Sequence, residues 1–169
     1  LVNWLDANGL RVVLVGSGAP EELAYIEELA QGLGHIPVVN LAGRLSLPQV
    51  GCLASRAAVY VGTDTAVTHL AAAAGAPTIA LFGPSNPVKW GPWPRGYSQD
   101  VSPYSLRGSR VVENVTLIQG VADCVPCMNE GCDRHVASLS ECLQTLPAAR
   151  VIDAVAQALE QHAAQPRNQ

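Results

Sequence analysis

The fold is decided by residues 61–92, which read VGTDTAVTHLAAAAGAPTIALFGPSNPVKWGP. The stretch opens on the end of an apolar, β-branched run, passes through polar capping residues at 63–65, and enters a helical pattern that Gly75 stops. A second apolar run follows at residues 78–82 and predicts another strand. Strand, helix and strand in this order form a βαβ unit, which predicts a parallel sheet with a right-handed crossover.

The rest of the chain repeats this alternation. Upstream of the βαβ unit we predict strands at residues 11–18, 37–41 and 57–62, a helix at 20–34, and a second helix from Ser46 to about 55, where Ser46 and Gln49 have capping-box spacing. Downstream we predict a long Pro/Gly/Trp-rich loop at 83–108, a strand near 110–113, a last helix at about 148–162 and a polar tail at 165–169. The predicted fold class is therefore α/β, a Rossmann-like open parallel sheet with helices on both faces. In the helix after residue 65 we expect one buried apolar face, made of Val67, Leu70, Ala71 and Ala74.

Composition excludes several classes of protein. Of the 169 residues, 49% are hydrophobic and 14% charged, which excludes disorder, coiled coil and collagen. The net charge is −4 and no run of Lys or Arg occurs, so we expect no nucleic-acid partner. The uncharged stretch at 65–88 is interrupted by glycines and prolines, and we predict helix, turn, strand and loop there instead of a membrane span. We expect no signal peptide, and we interpret the chain as a fragment of a longer protein.

The strongest candidate site is the turn around Asp64. In an open parallel sheet, ligands bind beyond the carboxyl ends of the strands, and this turn leads from a buried strand into a helix whose first amides lack intrahelical partners. Free amides and the helix dipole form an anion site that suits a diphosphate, with a hydroxyl from Thr65 and close approach over the small Ala66. The Asp64 carboxylate would accept hydrogen bonds from sugar hydroxyls. The alternative is structural: Thr63 or Asp64 only caps the helix, and His69 is packed in the core.

Two other turns between a strand and a helix are candidates. Residues 16–22, GSGAPEE, resemble a glycine-rich phosphate loop, but Glu21 occupies the place of the third glycine. An acidic residue at this helix start could hold both ribose hydroxyls, or only interact with the helix dipole. Leu45, in the turn at 43–46, could line a flat pocket for a base, or only connect strand to helix.

Four of the five cysteines lie within 19 residues of one another, at Cys124, Cys127, Cys132 and Cys142, while Cys52 stands alone. Four thiolates could hold a structural zinc ion or an iron–sulfur cluster, although the spacing lacks paired C-x2-C knuckles. Two disulfides or four free thiols are the alternatives, and the thiols favour a reducing, cytosolic compartment.

The stretch from Asp64-Thr65 through the HLAAA, GAP and LFGPSNP motifs resembles the signature of glycosyltransferase family 9, the ADP-heptose:lipopolysaccharide heptosyltransferases. The upstream GSGAPEE and AGRLSL segments fit the same family, as does the cysteine segment at 124–142, so the resemblance covers nearly the whole chain. It implies a GT-B fold, in which two Rossmann-like halves face a cleft. It also implies that residues 1–169 are the C-terminal donor-binding half, with the N-terminal acceptor domain absent. Ala66 stands where the family often has glycine.

The resemblance implies a role for seven residues in donor binding. Asp64 would contact the heptose, the amides of Thr65, Ala66 and Val67 would hold the diphosphate, and His69 would support the turn. Glu22, with Glu21 as the fallback, would bind the ribose, and Leu45 would lie beside the adenine.

The implied reaction is inverting transfer of heptose from ADP-heptose to a lipopolysaccharide core acceptor. It would use a general base in the missing half and no metal cofactor, so the isolated fragment would be inactive. The implied location is cytoplasmic, with peripheral contact at the inner face of the inner membrane. Two other functions stay open: a non-catalytic or degenerate nucleotide-binding or interaction module, and an interaction domain built on the four cysteines.

Overall fold

The computed structural model describes residues 1–135 and 138–164. The chain forms two compact units, Leu1–Val50 and Gly51–Gln169. The predicted polar tail at 165–169 lies outside the described residues.

The first unit is built around a short parallel pair of strands. Strands β1 (Val12–Leu14) and β2 (Val38–Asn40) pair with Val12 opposite Val38. Its buried side chains are aliphatic, and Ile26 of the second helix and Ile36 of the following loop are both 7% exposed. The elements in chain order are α1 (Val2–Ala7), β1 (Val12–Leu14), α2 (Pro20–Gly32) and β2 (Val38–Asn40), followed by α3 (Leu47–Ala54), which carries the chain into the second unit.

The predicted starts of these helices are confirmed. Pro20 occupies the first turn of α2, where its missing N–H costs no hydrogen bond, and Glu21 and Glu22 follow it there. At α3, the Ser46 N–H donates to Gln49 Oε1 over 2.8 Å, and the Ser46 hydroxyl donates to the same atom over 2.9 Å. The capping-box spacing therefore marks a real helix start.

The second unit contains a four-stranded mixed sheet, in the order β3 (Tyr60–Thr63), β4 (Thr78–Phe82), β6 (Val115–Gln119) and β5 (Arg110–Val112). Its first three strands are parallel, and β5 pairs antiparallel with β6. The elements in chain order are β3 (Tyr60–Thr63), α4 (Ala66–Ala74), β4 (Thr78–Phe82), α5 (Pro87–Trp90), β5 (Arg110–Val112), β6 (Val115–Gln119), α6 (Glu141–Gln144) and α7 (Ala148–Ala164).

The expectation of one wholly parallel sheet is wrong. The described strands form two sheets, and β5 and β6 make a hairpin in which Val112 lies opposite Val115. A two-residue connection can join only antiparallel strands. Sequence analysis predicted β5 but missed β6, because the connection is Glu113-Asn114 and lacks the glycine that usually marks such a turn. Glu113 adopts a positive φ of 49° instead.

Asn114 ties this hairpin to the end of helix α4. Its Nδ2 donates to the carbonyl oxygens of Ala72 and Ala76 over 2.9 and 2.8 Å, and its Oδ1 accepts from the Arg95 N–H over 2.9 Å. The asparagine thus links the hairpin to the last turn of α4, to the turn before β4 and to the loop at Arg95.

The predicted buried face of α4 is also wrong in part. The buried residues of this helix are Thr68, Ala71 and Ala72, so the buried stripe is rotated from the predicted one and includes a threonine. Thr68 is 0% exposed, and its hydroxyl can be buried because it is hydrogen-bonded, as described below. The small alanines let the helix pack closely on strands β3 and β4, beside a core that contains Ala80, Phe82, Tyr104, Val115 and Leu117.

The uncharged stretch at 65–88 forms the predicted helix and strand, α4 and β4, but the short helix α5 begins at Pro87 within the segment predicted as loop. Among the helices in the described ranges, none combines the length and the apolar character that crossing a membrane requires. In the long loop after β4, Asn86 caps α5 by accepting from the Val88 and Lys89 N–H groups over 2.9 and 3.3 Å.

Candidate functional site

The candidate site in the second unit lies at the carboxyl edge of its sheet. Strands β3, β4 and β6 run parallel, with Thr63 opposite Leu81 and Phe82 opposite Gln119, so all three end at the same edge. The turn that contains Asp64 leaves β3 there and leads into α4. This is the edge at which open α/β sheets bind their ligands.

Two amides at the start of α4 have no partner. Thr65 is the N-cap residue, with an extended backbone (φ −141°, ψ 163°), and its side chain makes no capping hydrogen bond. The Thr68 and His69 N–H groups donate to the Thr65 carbonyl over 3.1 and 3.4 Å. Within the part of the chain that the structure describes, the N–H groups of Ala66 and Val67 donate to no protein acceptor. The alternative in which Thr63 or Asp64 only caps the helix is therefore wrong, and the amides are available to an anion.

Thr68 anchors this turn from inside the unit. Its hydroxyl donates to the Thr63 carbonyl and lies 3.2 Å from the Tyr60 hydroxyl and 3.4 Å from Thr65 Oγ1. This network joins the end of β3, the N-cap and the first turn of α4, so the two free amides are held by a buried scaffold. Sequence analysis missed Thr68. The signal was a single hydroxyl residue in the first turn of a helix that otherwise carries none.

Asp64 and His69 face each other across the turn. The His69 Nε2 lies 3.7 Å from Asp64 Oδ1, and the two side chains are 42% and 24% exposed respectively. A histidine this exposed is not packed in the core, so that alternative is wrong. The Asp64 carboxylate stays partly exposed at the strand end, where it can accept hydrogen bonds from hydroxyl groups.

In the first unit, Glu22 turns back onto the loop between β1 and α2. Its Oε2 accepts from the Ser17 N–H over 3.1 Å and from the Ser17 hydroxyl, which itself accepts from the Ala19 N–H over 3.2 Å. A Cβ at Gly16 would lie 2.9 Å from Glu22 Oε1, so the glycine makes room for this carboxylate. Oε1 accepts no hydrogen bond from the described residues and is available to a ligand.

Glu21 differs from Glu22 in this respect. Both side chains are exposed in the first turn of α2, but the Glu21 carboxylate makes no hydrogen bond to any described residue. Of the two candidates, Glu22 is the one that the structure directs at the loop.

The turn that contains Leu45 lies beside this loop within the first unit. The Gly43 N–H donates to the Gly16 carbonyl over 3.0 Å, and a Cβ at Gly43 would lie 3.3 Å from Gly18 Cα. Gly43 has a φ of +67°, which glycine adopts without strain. Leu45 is partly exposed, so its side chain can present an apolar surface next to the loop at 16–22.

The described residues give no support to the predicted metal site on the four clustered cysteines. The described residues contain no group of three or more His, Cys, Asp or Glu side chains placed to hold a metal ion. Two of the thiols have identified contacts: Cys132 Sγ accepts from the Glu141 N–H over 3.4 Å, and Cys142 Sγ packs against Gly83. Cys124, Cys127, Cys132 and Cys142 are all free thiols, as is Cys52, so the disulfide alternative is not observed either.

Cys142 is the buried member of this cluster. Burial raises the pKa of its thiol, and the neighbouring sulfurs of Cys127, Cys124 and Cys132 raise it further. Cys142 therefore favours the neutral thiol. It has the properties of a structural cysteine and not those of a reactive thiolate.

The family model described as glycosyltransferase family 9 (heptosyltransferase) matches residues 1–109, which include the loop at 16–22 and the Asp64 turn. The chain belongs to glycosyltransferase family 9. The match ends before the cysteine segment at 124–142. The family model therefore covers less of the chain than the nearly full length over which the motifs predicted the resemblance.

Individual members of the family are similar over about half of the chain. The chain is 39% identical to lipopolysaccharide heptosyltransferase 3 of Escherichia coli over 93 residues, which is 55% of this chain and 27% of that protein. It is 37% identical to lipopolysaccharide heptosyltransferase 1 of Salmonella typhimurium over 87 residues, which is 52% of this chain and 26% of that protein. The aligned part is thus about a quarter of the length of these relatives.

Solved structures of the family have the same fold. The family 9 glycosyltransferase of Veillonella parvula superposes with a TM-score of 0.68 at 17% identity, covering 95% of this chain and 39% of that one. The E. coli ADP-heptose lipopolysaccharide heptosyltransferase II superposes with a TM-score of 0.67 at 24% identity, covering 96% and 40%. The Rossmann-like α/β class is confirmed.

Proposed function

We propose that this chain is the donor-binding half of an inverting glycosyltransferase that transfers heptose from ADP-heptose to a lipopolysaccharide core acceptor. Its relatives are named as lipopolysaccharide heptosyltransferases, and one similar structure is named for ADP-heptose. In this proposal residues 1–169 form one half of a GT-B enzyme, and the acceptor half is a separate domain. The protein would work in the cytoplasm, in contact with the inner face of the inner membrane where its acceptor is made.

The observation that carries the proposal is the pair of unpartnered amides at Ala66 and Val67. They lie at the positive end of a nine-residue helix, behind an N-cap residue whose hydroxyl is not used for capping. A diphosphate supplies the negative charge and the acceptors that these groups lack. Asp64 then lies at the same turn, where its partly exposed carboxylate would accept hydrogen bonds from the heptose hydroxyls.

The nucleoside end of the donor is assigned to the first unit. There the free Oε1 of Glu22 would accept hydrogen bonds from the ribose hydroxyls, and Leu45 would offer the adenine an apolar surface. These two roles rest on the loop geometry of the first unit alone, and they are tested separately from the role of the Asp64 turn.

The geometry of the turn suits the chemistry of the leaving group. In inverting transfer an acceptor hydroxyl attacks the anomeric carbon, its proton passes to a general base, and the nucleoside diphosphate leaves with the bonding electron pair. Amides fixed in advance by the Thr68 network would stabilise the charge that develops on the diphosphate without reorganising. We propose that this electrostatic role needs no metal cofactor. The base would come from the acceptor half, so this chain alone would bind the donor without turning it over.

The proposal is tested by removing one amide while leaving the helix intact. Ala66 is the first residue of α4, a position that favours proline, and the extended Thr65 before it suits a following proline. Ala66→Pro deletes a single N–H without the cost of a proline in a helix interior. Because one charge-assisted hydrogen bond is lost, the affinity for ADP should fall roughly tenfold to a hundredfold in calorimetry.

Ala66→Gly is the matched control, since it changes the same side chain but keeps the N–H. It should bind ADP at least as tightly as the unchanged chain. Adenosine, which has no phosphate, should bind the proline variant as it binds the parent. Equal ADP affinity in Ala66→Pro and Ala66→Gly would refute the diphosphate assignment. Tight ADP binding together with an intact, full-length protein that transfers no sugar would instead favour the non-catalytic nucleotide-binding module.

A further inference from the structure

A second concave feature lies at the same edge of the sheet in the second unit, past the end of β6. It is a groove of about 280 Å³ whose lining includes Gly108, Gly120 and Val121. Its charged lining residues are Arg107 and Arg150, and among the described residues that line it none is acidic. The chain has only ten Lys and Arg residues and a net charge of −4, so two unopposed arginines in one groove create a local positive potential.

Both guanidinium groups are held in place by oxygen atoms that carry no charge. Arg150 donates from Nη1 to the Gln119 carbonyl over 3.3 Å and from Nη2 to Ser109 Oγ over 3.0 Å. Arg107 donates from Nη2 to the Asp123 carbonyl over 3.1 Å. Neither arginine forms an ion pair within residues 1–135 and 138–164. Each therefore keeps its full charge and several N–H donors for another partner.

The backbone of the groove adds two further donors. The N–H groups of Val121 and Ala122 donate to no acceptor among the described residues. The loop opposite them is fixed by Gln119, which is 4% exposed: its Nε2 donates to the Leu106 carbonyl over 3.1 Å, and its Oε1 accepts from the Gly108 N–H over 2.7 Å. The groove is thus a preformed set of donors on a buried support.

We propose that this groove is a second anion site, which binds a phosphate group through Arg107 and Arg150. The planar guanidinium fork matches the oxygen atoms of a phosphate, and two such forks with nearby amides favour that group over a neutral ligand. The site is distinct from the Asp64 turn, because β4 lies between β3 and β6 and separates the two strand ends by roughly 10 Å. The phosphate can be free inorganic phosphate or the phosphate of a phosphorylated sugar.

The test is a titration of the chain followed by amide chemical shifts in nuclear magnetic resonance. Inorganic phosphate and glucose 6-phosphate are the probes, and glucose is the uncharged control. The amides of Gly108, Val121 and Ala122 should shift with both phosphates and stay unchanged with glucose. Tighter binding of glucose 6-phosphate would identify a phosphorylated sugar as the source, and equal affinity would identify phosphate alone. Either result supports the site.

Variants separate this site from the donor turn and from a general charge effect. Arg107→Gln, at an exposed side chain, should weaken phosphate binding in the groove about tenfold, as expected for the loss of a charge-assisted hydrogen bond. Arg110→Gln removes the same charge from a nearby exposed residue outside the groove and should have little effect. Arg150→Lys keeps a charge but loses the fork, so it should also weaken binding.

Three results would overturn the proposal: no shift in the groove, shifts that survive Arg107→Gln, or equal loss in Arg110→Gln. Ala66→Pro must leave the groove shifts unchanged, because it alters only the donor turn. Failure of one site is therefore distinguishable from failure of the other.

Discussion

At the scale of single residues, the adjacent Glu21 and Glu22 differ in what their carboxylates contact, since only Glu22 accepts hydrogen bonds from Ser17. Two adjacent glutamates in the first turn of a helix are equivalent for the helix dipole, so composition and spacing do not separate them. The structure does, because only Glu22 turns back to accept hydrogen bonds from Ser17. This backward turn depends on the absence of a side chain at Gly16, a relation through space that the sequence does not state.

The pair also provides a matched experiment on the ribose assignment. Glu22→Gln keeps the shape and removes the charge that would accept hydrogen bonds from ribose hydroxyls, so ADP affinity should fall about tenfold in calorimetry. Glu21→Gln makes the same change of charge one residue away, in the same helical turn, and should leave affinity within about twofold. A larger loss in Glu21→Gln than in Glu22→Gln would reverse the assignment.

Thr68 is a buried residue that the helical pattern failed to predict. The helical periodicity predicted a buried face through Val67 and Leu70, whereas the structure buries the threonine between them. A pattern that ranks residues by hydrophobicity cannot find a buried hydroxyl whose acceptor, the Thr63 carbonyl, becomes available only when the turn forms.

At the scale of elements, the sequence predicts most helices and strands because their ends carry local signals. Strand β4 has the predicted bounds, α3 begins at its capping box, and Gly75 ends α4 with a left-handed φ of +86°. Strand β6 was missed since its hairpin turn lacks glycine, and the antiparallel direction of β5 follows from that same short turn. Pairing between strands is a non-local property, and local signals do not specify it.

Gly75 provides a prediction at this scale, with Gly34 as its control. Both glycines follow a helix with positive φ, +86° and +62°, so alanine at either position carries the same kind of backbone strain. A Cβ at Gly75 would also lie 2.7 Å from Arg95 Cδ, whereas a Cβ at Gly34 would meet nothing within 4 Å. Urea unfolding should show a loss of about 1 kcal/mol for Gly34→Ala and a larger loss for Gly75→Ala.

The comparison isolates packing from backbone conformation. Arg95 donates from Nη1 to the Ala74 carbonyl over 3.1 Å. Displacing Arg95 by a Cβ at Gly75 would therefore also disturb the end of α4. Equal losses in the two variants would mean that the arginine moves aside freely and that only backbone strain matters.

At the scale of the whole molecule, stability at high pH is linked to a buried tyrosine. Burial raises the pKa of Tyr104 well above its ordinary value of 10, and the nearby positive charge of Arg110 offsets only part of this effect. Its hydroxyl donates to the Pro92 carbonyl over 2.7 Å, which also favours the protonated form. In the unfolded chain this tyrosine ionises near pH 10, whereas in the folded chain it stays protonated.

The sign of the pH dependence follows from this difference. Below pH 10 both states hold the proton, and the stabilisation is fully present. Above pH 10 the unfolded state holds fewer protons than the folded state, so the free energy of unfolding falls with a slope approaching about 1.4 kcal/mol per pH unit. Tyr104→Phe should remove this contribution to the slope, while Tyr25→Phe, at a side chain that is 66% exposed, should not. Urea unfolding from about pH 9 to about pH 11.5 measures it, and the same slope in all three proteins would contradict the account.

For the whole chain, we propose that it binds the nucleotide end of an ADP-linked sugar. The fold class and the Asp64 turn could be predicted from the sequence because both depend on motifs of consecutive residues. The free amides, the orientation of Glu22 and the arginine groove could not, because each depends on groups that meet only in the folded chain.

The most direct test is calorimetric titration of this chain with ADP, UDP and GDP under identical conditions. We predict that ADP binds, that UDP and GDP bind at least about tenfold more weakly, and that Ala66→Pro lowers the ADP affinity roughly tenfold to a hundredfold. Equal affinity for all three nucleotides, or no binding of any, would contradict this proposal.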